Sequence, residues 1–175
     1  FLDRLRRPMP SRPLVEARQG TAFHAWVEQR YGSPRLLDLD ELPGAADAAD
    51  SPHGTDLAEL QAAFLTSPWA EREPLEIEAP FEMVIDGTVV RGRADAVFAD
   101  VDRGGDALVV VDWKTGPPPS GAAELQARSA QLAVYRRAFA ALYELPEHKV
   151  RAVFHHVREN VTVEESESDD VVVDV

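Results

Sequence analysis

Cysteine is absent from the 175 residues. That excludes disulfides, thiol catalysis, cysteine-ligated zinc and cysteine-ligated iron–sulfur clusters. It also fits a reducing cytoplasm, the location we expect. No apolar run is long enough to span a bilayer and no signal-peptide pattern occurs, so no membrane partner is expected. A Gly-rich loop ending in Lys-Ser/Thr is missing too, so any ATPase would lie outside this piece. There is no internal repeat. The first residue is Phe1 rather than Met, which reads as a piece of a longer protein. Bases are scarce overall, and the formal net charge is −13. The acidity is local, however. Residues 36–59 carry seven acids and neither Lys nor Arg, and residues 158–175 carry seven acids and one Arg. The rest of the chain balances to zero, so its central region could still face an anionic partner. Each acidic segment has the plainer reading of a solvated loop or tail.

What is present reads as one domain. Residues 1–18 form a basic, proline-bearing linker or leading arm. Residues 19–163 form the domain, and residues 164–175 an acidic, disordered tail. Residues 19–32 predict a helix with Phe23, Val27 and Arg30/Tyr31 at helical spacing. A second helix begins at Thr55 as N-cap, with an apolar stripe of Leu57, Leu60, Phe64 and Leu65. The period then shifts to extended structure. "PLEIEAPFEMVI", "TVVRGRADAVFA" and "ALVVVDWKT" are three strands separated by turn signals, the first at Asp86-Gly87. Short turns between them imply an antiparallel meander. A long helix follows from Ala122 to Tyr143, with Leu125, Leu132, Phe139 and Leu142 on one face. "KVRAVFHHV" is a fourth strand, and a short one follows near Val161. The fold class is α/β: one central mixed sheet, meander plus crossover helix, flanked by helices.

The apolar run "ALVVV" ends in Asp112 and Lys114, whose charges cost solvation unless compensated. Either they reach solvent, or they face something that needs both. Two apart on a strand, they share a face, and Trp113 points away with its carbonyl between them. Asp95 sits on the preceding strand among Gly92, Ala94 and Ala96. Neighbouring strands lie about 4.8 Å apart, so the two carboxylates can converge on one hard cation. Mg²⁺ prefers such oxygen ligands. Lys114 could then orient or activate an attacking water, or neutralise charge developing on a phosphate.

Asp95 followed by Asp112-Trp113-Lys114 resembles the signature of the PD-(D/E)XK nucleases. The proline that opens the family's name is absent before Asp95. The likeness is to the RecB-type branch, whose helix histidine, G-[RK]-[IA]-D strand, D-[YW]-K-T strand and Q-x-x-x-Y helix read here as "GTAFHAWVE", "VRGRADAV", "VVVDWKTG" and "AQLAVYRRA". The match spans roughly residues 20–157. The passage "FLTSPWAEREPLEIEAPFEMVIDGTVVRGRADAVF" further resembles the C-terminal nuclease domains of actinobacterial UvrD/RecB-like helicases of the AdnAB type.

The resemblance implies a restriction-endonuclease-like fold and a Mg²⁺- or Mn²⁺-dependent deoxyribonuclease that acts on single-stranded DNA. The domain would close a DNA-repair helicase, with motor domains on the same chain and a second helicase–nuclease subunit as partner. By position, Asp95, Asp112 and Lys114 are catalytic. His24, Asp95, Asp112 and the Trp113 carbonyl hold the metal. Glu78, Gln131 and Tyr135 support the site, and Thr115 and Arg93 meet the strand. Plainer readings stand beside these. His24 could be a half-buried helix histidine, and Glu78 a solvated strand carboxylate, with Glu76 its near neighbour. Tyr135 could be core packing. Arg91 and Arg93 could pair with Glu82 or other nearby acids. An alternative to catalysis is an inactive nuclease-fold module for DNA guidance or subunit docking.

Overall fold

A computed structural model describes residues 15–32, 53–85, 87–164 and 172–174. The leading arm up to residue 14, the acidic stretch 33–52, the tail segment 165–171 and the last residue, 175, lie outside the described residues, as does Asp86 of the expected hairpin turn. Two helices come first, α1 (Val15–Arg30) and α2 (His53–Leu65). The meander is β1 (Glu76–Ile85), β2 (Thr88–Ala99) and β3 (Leu108–Lys114). Then come α3 (Ala122–Leu142), β4 (Val150–His156), β5 (Val161–Glu164) and the three-residue β6 (Val172–Asp174). The strands form one sheet in chain order. All neighbours are antiparallel except β3 and β4, which α3 connects as a parallel pair. That is the crossover a parallel pairing requires. Among the described residues no helix is long and apolar enough to cross a membrane.

Several boundaries differ from expectation. α1 starts at Val15, four residues ahead of the expected helix, because Glu16, Ala17 and Arg18 favour helix without adding to the apolar stripe. α2 starts at His53, which puts Thr55 inside the first turn rather than at the cap. β6 pairs with β5 within the segment expected to be a disordered tail.

The sheet separates two cores. On one face α1 and α2 bring Phe23, Val27, Leu60 and Phe64 against Phe98, Val109, Val111, Trp113 and Val153. On the other, α3 brings Leu132, Tyr135 and Phe139 against Val97, Val110, Ala152 and Phe154. Leu65 and Leu142, expected in the apolar stripes, are about half exposed (49% and 54%). Trp113 is the hub of the first core, with edge contacts to Phe64 (5.2 Å), Trp69 (5.8 Å) and His155 (5.9 Å) between ring centroids. Its anchoring forces the alternate residues of β3, Asp112 and Lys114, onto the α3 face.

Two irregularities create the site. Residues two apart on a regular strand share a face. On β1, however, Ile77 packs into the α1/α2 core while Ala79 packs into the α3 core. On β2, Ala94 belongs to the α3 core and Ala96 to the other. Both strands therefore change face at one position, Glu78 on β1 and Asp95 on β2. These stand opposite each other, between the paired positions Ile77↔Ala96 and Ala79↔Ala94. Glu78 marks the change with φ of +52°, a left-handed backbone uncommon for a non-glycine. The β2–β3 ladder ends at Ala96↔Val111. The next residues in each strand are Asp95 and Asp112. Glu78, Asp95 and Asp112 thus form a row across three strands where the sheet begins to split.

Candidate active site

Asp95 occupies the split. Its Oδ2 accepts the Trp113 backbone N–H at 2.6 Å, which gives that amide a partner after the regular ladder has ended. Its Oδ1 lies 3.1 Å from Nδ1 of His24, which α1 delivers from above. The ligand atoms of His24, Glu78 and Asp95 all lie within 4.8 Å of one another. One imidazole nitrogen and two carboxylate oxygens are a donor set that could hold a divalent ion; the oxygens suit Mg²⁺ and the nitrogen also admits Mn²⁺.

Electrostatics mark the same cluster. Burial by itself would lower the pKa of His24, but the hydrogen bond and charge of Asp95, with Asp112 and Glu78 behind it, raise it above 6.5. Glu78 is raised by burial and then by the Asp95 charge, against the opposing pull of Arg93 at 3.3 Å. Asp112 is raised by burial and again by Asp95, against Lys114. The Asp95 charge hinders ionisation of both Glu78 and Asp112, and such a half-buried acidic row favours a cation.

Asp112 is only 7% exposed, and each oxygen is held. Lys114 Nζ lies 2.8 Å from Oδ1. From α3, the Tyr135 hydroxyl donates to Oδ2 at 3.0 Å and Gln131 Nε2 at 3.2 Å. Gln131 also donates to the Tyr135 oxygen at 2.9 Å, as their four-residue spacing on one helix face allows. Lys114 also sits over the Phe154 ring, 4.7 Å from its centroid.

The close group is His24, Glu78 and Asp95, while beside it Lys114, Tyr135 and Gln131 engage the oxygens of Asp112. Trp113 meets the site through its N–H, which donates to Asp95. Tyr135 is both a core residue, 6% exposed, and a partner of Asp112, so the two readings of it are compatible. Arg91 pairs with Glu82 at 2.6 Å, away from the cluster, and Arg93 spans to Glu78. Thr115 stands at the α1 side of the site, where a Cβ on Gly20 would come within 3.6 Å of its Oγ1. Sequence reasoning missed His156 and Arg128. His156 is fully buried opposite Lys114 on β4, and Arg128 of α3 reaches it. The only available signal was the parallel register, which pairs the residue after Phe154-His155 with the lysine.

A model of the PD-(D/E)XK nuclease superfamily matches residues 1–173. The chain belongs to that superfamily. No curated protein matches it. As a PD-(D/E)XK domain it has the restriction-endonuclease-like α/β fold of the group, a mixed sheet between helices. In this member Asp95 and Asp112-Trp113-Lys114 fall on β2 and β3, at the split. The superfamily is one of nucleases that in general use divalent metals, and the His24, Glu78 and Asp95 donors fit that chemistry.

Proposed function

We propose that this chain is a divalent-metal-dependent deoxyribonuclease domain that hydrolyses phosphodiester bonds of single-stranded DNA. The observation that carries the reading is the row Glu78, Asp95 and Asp112 at the sheet's split, with His24 3.1 Å from Asp95 and Lys114 2.8 Å from Asp112. His24, Glu78 and Asp95 would hold the ion, with Asp112 next in the row. When bound, the ion supplies Lewis-acid stabilisation of charge on a phosphate oxygen. Lys114 orients the attacking water and offsets negative charge as it develops on the phosphate. Tyr135 and Gln131 clamp one oxygen of Asp112 and so fix the side from which Lys114 approaches. Arg93 and Thr115, at the rim, meet the strand.

The preference for single strands, the helicase context and the partner subunit rest on the sequence resemblance to UvrD/RecB-like helicase–nucleases. On that reading residues 19–163 are the nuclease unit. Motor domains on the same chain would feed it, in the cytoplasm, beside a second helicase–nuclease subunit.

The test is cleavage of end-labelled single-stranded DNA, duplex DNA and RNA by the purified chain with Mg²⁺, Mn²⁺ or chelator. Metal-dependent cutting of the DNA strand is expected. Lys114→Ala should lower it by roughly 10²- to 10³-fold, the usual cost of removing one group that stabilises developing charge. Asp112→Ala should do at least as much. Full cutting by either folded variant would refute the assignment.

A further inference from the structure

Arg128 lies one turn before Gln131 on α3, and Tyr135 one turn after it, so the three line one face of the helix. That face already meets Asp112. The Arg128 guanidinium lies 5.9 Å from the centroid of the Phe154 ring, the same ring that carries the Lys114 ammonium. Phe154 in turn is the register partner of Asp112. Two cationic heads therefore gather around one aromatic ring beside the catalytic row.

Buried machinery holds the arginine there. His156 is 0% exposed. Its Nδ1 lies 2.8 Å from the carbonyl of Gly116, the turn that follows Lys114 and Thr115, and its Nε2 lies 3.3 Å from Nη1 of Arg128. A neutral imidazole satisfies both contacts in one tautomer, with Nδ1–H donating to Gly116 and Nε2 accepting from Arg128. Glu124, one turn earlier, accepts from Nη2 at 2.7 Å. These contacts use two of the guanidinium's five donors. The Arg128 side chain stays 24% exposed, so it is not sealed from solvent.

We propose that Arg128 binds a backbone phosphate of the substrate strand adjacent to the scissile bond, and that His156 is the positioning residue that aims it while tying down the turn after Lys114. This rests on the nuclease reading for what "substrate" means, but it concerns strand binding and can be measured without cleavage.

The experiment is the affinity of the full chain, with chelator present, for labelled single-stranded DNA across a salt series, followed by steady-state cleavage with Mn²⁺. Arg128→Met should weaken binding about tenfold, as expected for a hydrogen bond to a charged group. It should also make the slope of log affinity against log salt shallower by about 0.7, the loss of one phosphate contact on a single strand. In cleavage, the effect should fall mainly on KM. His156→Ala should reproduce the shallower slope, and His156→Gln, whose amide can still accept from Arg128, should restore part of it. An unchanged slope in Arg128→Met, or a parent that binds no strand, overturns the proposal. His156→Ala with lower thermal stability but an intact slope overturns the positioning role. A parent that binds with the expected slope yet cuts nothing with any divalent ion would end the nuclease reading and leave the Arg128 site standing.

Discussion

Glu78 carries backbone strain within the row. Its φ of +52° costs roughly 1 kcal/mol for an L-residue, and its carboxylate faces Asp95 across the ladder. Such strain persists where the surroundings impose it, and functional sites are where it collects. Glu78→Gly removes the backbone strain along with the ligand oxygen. We expect its chemical stability to stay within about 1 kcal/mol of the parent, while Mn²⁺ affinity falls at least about tenfold. Denaturant melts beside a metal titration check both. The pKa directions fix the sign of the pH dependence. His24 and Glu78 are both raised, so each holds its proton to higher pH than an isolated group, and each must shed it to act as a ligand. Mn²⁺ affinity should therefore climb as pH rises through the His24 titration, and His24→Ala should flatten that climb. An affinity independent of pH between 5 and 8 in the parent would contradict this. In the sequence Asp112 and Lys114 stood out as charges closing an apolar strand, with Asp95 on the strand before them, whereas His24 came only with the family resemblance. The left-handed φ at Glu78 and the early end of the β2–β3 ladder were not legible there. Neither leaves a residue-type signal.

At the scale of elements, β1 and β2 work as a hairpin whose two halves serve different cores. Gly92 lies where a Cβ would stand 2.6 Å from the Phe81 ring. Phe81 in turn packs edge-on against Tyr135 at 5.5 Å and Phe139 at 5.9 Å. Gly92→Ala must push that ring into α3, at a cost of about 1–3 kcal/mol, and should loosen Tyr135 from Asp112. Thermal unfolding reads the first effect and cleavage rate the second. Tyr135→Phe isolates the polar half of that contact. It keeps the ring, so stability should fall by only about 1 kcal/mol, whereas kcat should fall well beyond what that loss explains. The meander could be read ahead of the structure from alternating apolar residues and turn chemistry. The parallel placement of β4 followed from a long helix between two apolar strands. The Arg128–His156 contact could not be read, because it joins a helix to a strand through a register that only the folded sheet sets.

For the whole molecule, burial of neutral histidines links stability to pH. His155 has no solvent exposure, packs against Trp69 and Trp113, and its pKa falls to about 4 because burial disfavours the charged form. Between that value and the unfolded value of 6.5, the unfolded chain binds more protons than the folded one. Its contribution to stability is therefore complete above pH 6.5 and is lost as pH falls toward 4. His155→Phe should weaken the acid sensitivity of thermal unfolding in that window, although loss of the Thr162 contact at 3.0 Å lowers stability at neutral pH. An acid limb as steep in this variant as in the parent would discount His155. The same whole-molecule view explains why a chain of net charge −13 can meet DNA. Much of the acidity falls in two stretches of the sequence, residues 36–59 and 158–175, and what the row itself concentrates is negative charge for a cation to neutralise. The most direct measurement is calorimetric titration of the purified chain with Mn²⁺, beside its Asp95→Asn variant at matched folded fraction. The account predicts saturable binding by the parent that the single change removes or weakens by more than about tenfold, because Asp95 stands at the centre of the row. Equal Mn²⁺ affinity in the two proteins would contradict it.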